Sequence, residues 1–330
     1  MKKKSALAAV LLAVAVTAAG CGNSLEDYKK AVEKSSQIEK AQISGEFTVN
    51  LEFNTEGLNP EEIRELSYYK NMSGSFRGVF DKSREMEIYR NYMNMGGLGF
   101  DFELYKNGEE KFIKLPIIGK YMKLDDLMRK AEQSPGEPAK MISEETAKAL
   151  EREWTEILKE ENVFKGKDII LTTPDGEVKT TVYTITLNES QLTELKGKVK
   201  AILEEDEHLR GNFNSFIKKA ADSSGADDPD RHAEEVWNQI FADTVESFQF
   251  TAYVDIDGYI VNETIELKTR RPRPEKWEQE SFHFKLDIRK WDINKDQEFN
   301  FPELTEENML KAEELDKNMP SLFINLFEAK

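Results

Sequence analysis

The sequence predicts an α+β fold in which helices pack on one face of a large antiparallel sheet. Three observations carry that reading. Apolar and polar residues alternate in segment after segment, the period of a strand with one buried face. These segments follow one another through short turns and do not alternate one for one with helices, as parallel strand–helix–strand units would require. Helical stretches, with apolar residues at three- and four-residue steps, are set between the runs of strands.

The first helix is expected over Leu25 to Lys40, with Tyr28, Val32 and Ile38 among charges. A half-buried strand follows, in which Ile43, Phe47, Val49, Leu51 and Phe53 oppose Ser44, Glu46, Thr48, Asn50 and Glu52. Alternation then recurs at Met72 to Phe80, Arg84 to Tyr92, Phe100 to Tyr105 and Lys111 to Leu115, with turns such as Asn107-Gly108, and reads as a meander. Leu124 to about Phe164 reads as mainly helical, through Ala147, Leu150, Trp154 and Leu158. A hairpin turns at Pro174-Asp175-Gly176 between Asp168 to Thr173 and Val178 to Leu187. Asn188 and Gln191 form a capping-box pattern ahead of Leu192, Leu195, Val199 and Ile202. Residues 220–229, small and acidic, are expected to form a flexible loop. After a helix carrying Val236, Ile240 and Phe241, a hairpin runs from Phe248 through Asp257-Gly258 to Leu267. Phe282, Phe284, Leu286 and Ile288 mark the last long strand, and Thr305 to Lys330 reads as a terminal helix broken at Pro320.

Composition narrows the function classes. With 39 % apolar and 33 % charged residues, the 330-residue chain is globular and can bury a sizeable core. Its formal net charge of −17 argues against nucleic acid as a partner, since phosphate binding needs a dense basic face. Catalysis has little support. His208, His232 and His283 are the only histidines, and the nucleophile-elbow, zincin, phosphate-loop and dithiol motifs are all missing. No cofactor or metal is expected. Asp292, Asn294, Asp296 and Glu303 have the spacing of a calcium loop, but Gln297 holds the position that needs glycine and Pro302 precedes the glutamate, so a proline-bounded strand end fits better.

The amino terminus is the most specific part of the chain. Lys2, Lys3 and Lys4 precede an apolar run from Ala6 to Ala19, too short to cross a bilayer and followed by small residues, the pattern of an export signal. Ala18-Ala19-Gly20-Cys21 resembles the lipobox of bacterial lipoproteins. That resemblance implies removal of residues 1–20 and lipidation of Cys21, with residues 21–24 as a short tether and 25–330 as one domain. Cys21 is the sole cysteine, so it has no intramolecular disulfide partner, and acylation accounts for it. The expected location is the extracytoplasmic face of the cell membrane, with the anchor as the membrane contact.

The early helix leading into "AQISGEFTVNLEF", the late hairpin "FTAYVDIDGYIVNETIEL" and the closing "DINKDQEFNFPE" resemble exported lipoproteins of the LolA/LppX-like superfamily, especially its Gram-positive branch. The resemblance covers most of the mature chain. It implies a large curved antiparallel sheet, a half-open barrel, with helices packed on the concave face. It also implies either a hydrophobic ligand, a lipid or acyl chain, held between sheet and helices, or a protein- or cell-wall-interaction module on the same scaffold. Two apolar tips are candidates for a ligand mouth or membrane contact. One carries Met93, Met95, Leu98 and Phe100, the other Ile117 and Ile118, and burial under a neighbouring helix is the alternative. Arg270, Arg271 and Arg273, with Lys268 and Lys276 nearby, suit lipid headgroups or an acidic partner, or else form a solvated loop.

Overall fold

A computed structural model describes residues 23–114, 118–126, 143–211, 213–214, 229–274, 278–311 and 314. The chain runs α1 (Ser24–Ser36), β1 (Lys40–Phe53), α2 (Pro60–Ser67), β2 (Asn71–Asp81), β3 (Met86–Met95), β4 (Leu98–Asn107), β5 (Glu110–Lys114) and β6 (Tyr121–Lys123). It continues as α3 (Glu144–Ile157), β7 (Val163–Thr173), β8 (Gly176–Thr186), α4 (Glu189–Glu205), α5 (Pro229–Ile240), β9 (Thr244–Asp255), β10 (Ile260–Arg270) and β11 (Gln279–Trp291). The α+β expectation holds: all these strands join one open sheet in the order β6-β5-β4-β3-β2-β1-β11-β10-β9-β8-β7, with antiparallel neighbours throughout.

The first six strands step outward to one margin. The chain then crosses to the other margin and steps back, so that β11 closes against β1 and the two ends of the sheet-forming chain meet at its centre. Directly opposed residues share a face. Phe47 lies opposite Leu286, Val49 opposite Phe284 and Leu51 opposite Phe282. Leu286 in turn faces Ile265, which faces Phe250, which faces Ile185. In the other direction Gly74 joins Phe47 to Met93, and Met93 faces Phe100. One face is therefore apolar across nearly the whole sheet. The opposite face carries Ser44, Glu46 and Thr48 of β1 beside Arg289, Asp287 and Lys285 of β11.

The main core lies where helices cover β7 to β10 on the apolar face. Leu25, Tyr28 and Ala31 of α1 and Ile157 of α3 are buried there with Tyr183, Ile185, Phe250, Ala252 and Val254. A second cluster closes the opposite margin of the same face, with Ile113, Met122 and Leu310 buried against Phe102 and Leu104. A third occupies the other face, where Ile88, Tyr105 and Phe112 take Phe299, Phe301 and Leu304 from the segment after β11. That segment ends by pairing with β6: Tyr121 donates to the Asn308 carbonyl at 2.8 Å, and Leu310 donates to the Tyr121 carbonyl at 2.8 Å.

Three regions differ from the sequence reading, and two short elements are added to it. The first helix ends at Ser36, and β1 starts at Lys40 because Lys40 pairs with Asp81 and Gln42 with Trp291. The stretch expected to be helical up to Phe164 leaves helix at Ile157; Val163 and Phe164 pair with Ile185 and Thr184 and so belong to β7, whose register breaks between Lys165 and Asp168. Over Thr305 to Leu310 the expected terminal helix is a turn. The Asn308 carboxamide accepts from Thr305 N–H at 2.7 Å and donates to the Glu303 carbonyl at 2.8 Å, and the backbone is then committed to β6. The short α2 and β6, for which no period could be read, complete the meander. The expected loop at 220–228 and the region around Pro320 lie outside the described residues.

Candidate functional site

A cavity of about 370 Å³ lies between α1, α3 and the apolar face of β9–β11. Its walls are Tyr28, Val32, Ser35 and Ser36 from α1, Glu151 and Trp154 from α3, and Phe248, Phe250, Ile260, Ile265, Glu263 and Lys290 from the sheet.

Local structure fixes these walls. Helix α1 is capped by Asn23, whose side chain accepts from Glu26 N–H at 3.2 Å. Lys165 ties it to β7 through Asp27 at 2.9 Å. Its last turn is latched to the β9–β10 turn: Lys34 donates to the Asp257 carbonyl and lies 4.5 Å from the Tyr259 ring centre, while Ile260 N–H donates to Ser35 Oγ at 2.8 Å.

Helix α3 is held at both ends. At its start, the buried Asp206 carboxylate accepts from Ser143 N–H at 2.9 Å, Thr146 Oγ1 at 2.6 Å and Leu209 N–H at 3.0 Å. Those bonds, led by the Ser143 amide, hold the Asp206 carboxyl far below the usual carboxylate range. At its end, Asn162 and Gln191 exchange carboxamide hydrogen bonds of 2.9 and 2.7 Å, and Gln191 also donates to the Ile157 carbonyl at 3.1 Å. Gln191 is at the same time the closing member of the α4 capping box expected from Asn188.

Clamped in this way, Trp154 sits 5.7 and 5.5 Å from the ring centres of Phe248 and Phe250, and its Nε1–H donates to Tyr28 Oη at 3.0 Å. Burial drives the Tyr28 phenol pKa upward; the Trp154 hydrogen bond offsets part of that, and the Glu263 charge adds to it. Glu263 itself pairs with Lys290, Oε2 to Nζ at 3.0 Å.

Beyond the helices the apolar face continues over β1, β2, β3 and β11, where Phe47, Val49, Leu51, Phe282 and Phe284 are half-buried. Here aromatic rings lie flat across glycines of the neighbouring strand. A Cβ on Gly45 would fall 2.3 Å from the Phe76 ring, one on Gly74 would fall 2.4 Å from the Phe47 ring, and one on Gly78 would fall 2.3 Å from the Tyr89 ring. Glycine at these positions gives the rings somewhere to lie and lays a smooth aromatic floor.

Met93, Met95, Leu98 and Phe100 sit at the far end of this floor, in the β3–β4 hairpin. Gly96 and Gly97, at φ +59° and +85°, turn the chain tightly there, and Leu98 is 52 % exposed. Ile118 packs with the Ile113–Met122 cluster, and Ile117 lies outside the described residues. Arg270 pairs with Glu246 at 2.7 Å; Arg271 pairs with Asp243 at 2.9 Å and Glu278 at 3.6 Å; Arg273 occupies a bend at φ +60°. His208 is exposed, His232 lies within α5, and His283 meets Glu266 at 3.0 Å on the polar face. The Asp292 segment serves as a clasp: Asn294 Oδ1 accepts from Glu39 N–H at 3.0 Å, and Asp296 pairs with Lys40 at 2.6 Å. Among the described residues no group of three His, Cys, Asp or Glu side chains is placed to hold a metal. Cys21 lies outside the described residues.

A larger hollow of about 500 Å³ lies on the opposite face among Ser44, Glu46, Arg77, Arg90, Asp101 and Glu103. Its lining is largely polar, and part of its charge is paired within the sheet, where Lys114 and Arg90 meet Glu103 at 2.9 and 3.5 Å. The smaller cavity, walled by two clamped helices and aromatic rings, is the better candidate.

Glu263 and Lys290 escaped the sequence reading, although they left a signal there. Phe282, Phe284, Leu286 and Ile288 alternate inward, and Lys290 occupies the next inward position. A charge in phase with a buried stripe is the kind of exception that marks a site.

No family model matches this chain, and neither does any curated protein sequence. Among solved structures, a crystal structure of a LolA superfamily protein from Nitrosomonas europaea is similar over 87 % of this chain and 96 % of its own, at 8 % identity and a TM-score of 0.21. That likeness is too slight to carry an argument, and the fold rests on the sheet and register described above.

Proposed function

We propose that this protein is an exported lipoprotein, held by an acylated Cys21 at the extracytoplasmic face of the cell membrane, whose body binds a hydrophobic ligand between sheet and helices. The observation that carries the reading is the cavity of about 370 Å³ under α1 and α3. It falls in the size range of small-molecule sites, which are mostly apolar with a few placed polar groups. Binding would bury a lipid or acyl chain against Val32, Phe248, Phe250 and Ile265, a non-enzymatic role. The half-buried aromatic floor on β1–β3 and β11 offers a path away from the cavity toward Met93, Met95, Leu98 and Phe100, which suit a mouth or a membrane contact. Export and anchoring are supported by the basic, apolar and small-residue pattern ahead of the sole cysteine.

The test is native mass spectrometry of the full chain purified from its own envelope, followed by organic extraction. A stoichiometric co-purifying lipid is the expected result. A clean apo mass that persists after incubation with membrane vesicles would overturn ligand binding and leave the interaction-module reading, in which the exposed apolar tip meets a protein or cell-wall partner.

A further inference from the structure

We infer, resting on the ligand-binding reading above, that the cavity selects amphiphiles whose head is an ammonium group, which it receives against the Glu263 carboxylate and the surrounding aromatic rings. On the inward face of β9, β10 and β11 the residues are Phe248, Phe250, Ala252 and Val254, then Ile265, Leu267 and Thr269, then Phe282, Phe284, Leu286 and Ile288. Glu263 and Lys290 are charges at inward positions of β10 and β11, and both line the cavity. They pair at 3.0 Å with side chains 23 % and 21 % exposed. Such a pair brings little stability that apolar residues of similar size would not bring, because desolvation offsets the attraction. A ligand that needs a charge explains its place.

The sign follows from what surrounds it. Glu151 adds a second carboxylate to the cavity wall, so Glu151 and Glu263 outweigh Lys290. Four aromatic side chains, Tyr28, Trp154, Phe248 and Phe250, stand in the same wall, and ring faces attract cations, ammonium groups above all. The chain as a whole carries −17 and draws cations toward it. An anionic head would meet Lys290 but would also face both carboxylates and the negative ring faces. In the empty protein Lys290 acts as an internal stand-in for the ligand cation. It neutralises Glu263 and yields that carboxylate when an ammonium head arrives.

Titration calorimetry of the full chain with decyltrimethylammonium and with decanoate, both below their micelle concentrations, separates the possibilities because the tails are identical. The expected result is binding of the ammonium compound about tenfold tighter than decanoate. Lys290→Met should strengthen the ammonium compound several-fold by removing the competitor, and Glu263→Gln should shift the preference toward decanoate by leaving Lys290 unpaired. Glu263→Gln/Lys290→Met should bind both tails with little preference. Equal binding by the natural chain, a preference for decanoate, or a preference unmoved by either substitution would overturn the inference while hydrophobic binding stands. Binding of neither compound would overturn both. A purely structural ion pair would shift stability in these variants and leave the head preference as it was.

Discussion

Gly45→Ala tests whether the aromatic rings lie flat on the sheet, since there the only change is a methyl group under a ring. Gly45 is buried in the centre of β1, and its φ lies outside the left-handed region, so nothing in the backbone requires glycine. The requirement comes from Phe76, directly opposite, whose Cε1 and Cζ would lie 2.3 and 2.5 Å from the new Cβ, while the nearest backbone atom, the Asp287 carbonyl oxygen, would be 3.2 Å away. Carbon atoms settle at about 3.5–4.0 Å, so the ring must move by more than about 1 Å or leave its rotamer. Overpacking of this kind costs about 1–3 kcal/mol, from which about 0.5–1 kcal/mol is recovered because alanine suits a strand better than glycine. The net loss should be about 1–2 kcal/mol. In a Phe76→Ala background the clash is gone, and the same Gly45→Ala change should be neutral or stabilising by about 0.5–1 kcal/mol. Urea unfolding followed by tryptophan fluorescence completes the double-mutant cycle, with an expected coupling of about 1–3 kcal/mol. A Gly45→Ala effect that agrees within about 0.5 kcal/mol in both backgrounds would refute the ring-over-glycine argument.

Asp206→Asn should cost about 1–3 kcal/mol at neutral pH, because donors around a buried carboxylate lose their acceptor. The Asp206 pKa is lowered in the folded state, so its contribution is present above the ordinary aspartate value of about 3.9 and drains away as pH falls further. Unfolding midpoints at pH 7, 5 and 3 should therefore show a shallower acid branch in the variant, and parallel branches would remove Asp206 from the account. Trp154→Phe and Tyr28→Phe should each cost about 0.5–1.5 kcal/mol through the shared hydrogen bond, with the double variant well short of the sum. Full additivity in denaturation experiments would mean that the bond contributes nothing. Cys21→Ser should move the protein from the membrane fraction to the soluble one on fractionation, and unchanged retention would refute the anchor.

Much of the sheet could be read from period two alone, because its inward residues form an almost unbroken apolar stripe. The alternation of Phe47, Val49 and Leu51 and of Phe248, Phe250 and Ala252 set the strands, and Asn188 with Gln191 set the start of α4. What could not be read was long-range. Nothing local says that β11 pairs with β1, that Gln191 also holds Asn162, or that Asp206 caps a helix sixty residues earlier. The cavity is of this kind, since α1 contributes Tyr28, α3 contributes Trp154 and the sheet contributes Glu263. The Arg270 to Arg273 cluster stood out in the sequence as a basic run, yet most of its charge meets acidic neighbours that the fold brings from Asp243 and Glu246.

The two margins of the sheet are not equivalent. At β6 the closing segment has taken the outer hydrogen bonds of Tyr121. At β7 the side chains of Phe164 and Ile170 stand 58 % and 65 % exposed, beside Lys165, Lys167 and a break in register that discourage casual pairing. Filaments built edge to edge need two available margins per molecule, so that each copy can pass the pairing on. Among the described residues this sheet offers one. Association through its strands would join β7 to β7 about a two-fold axis and stop at a pair.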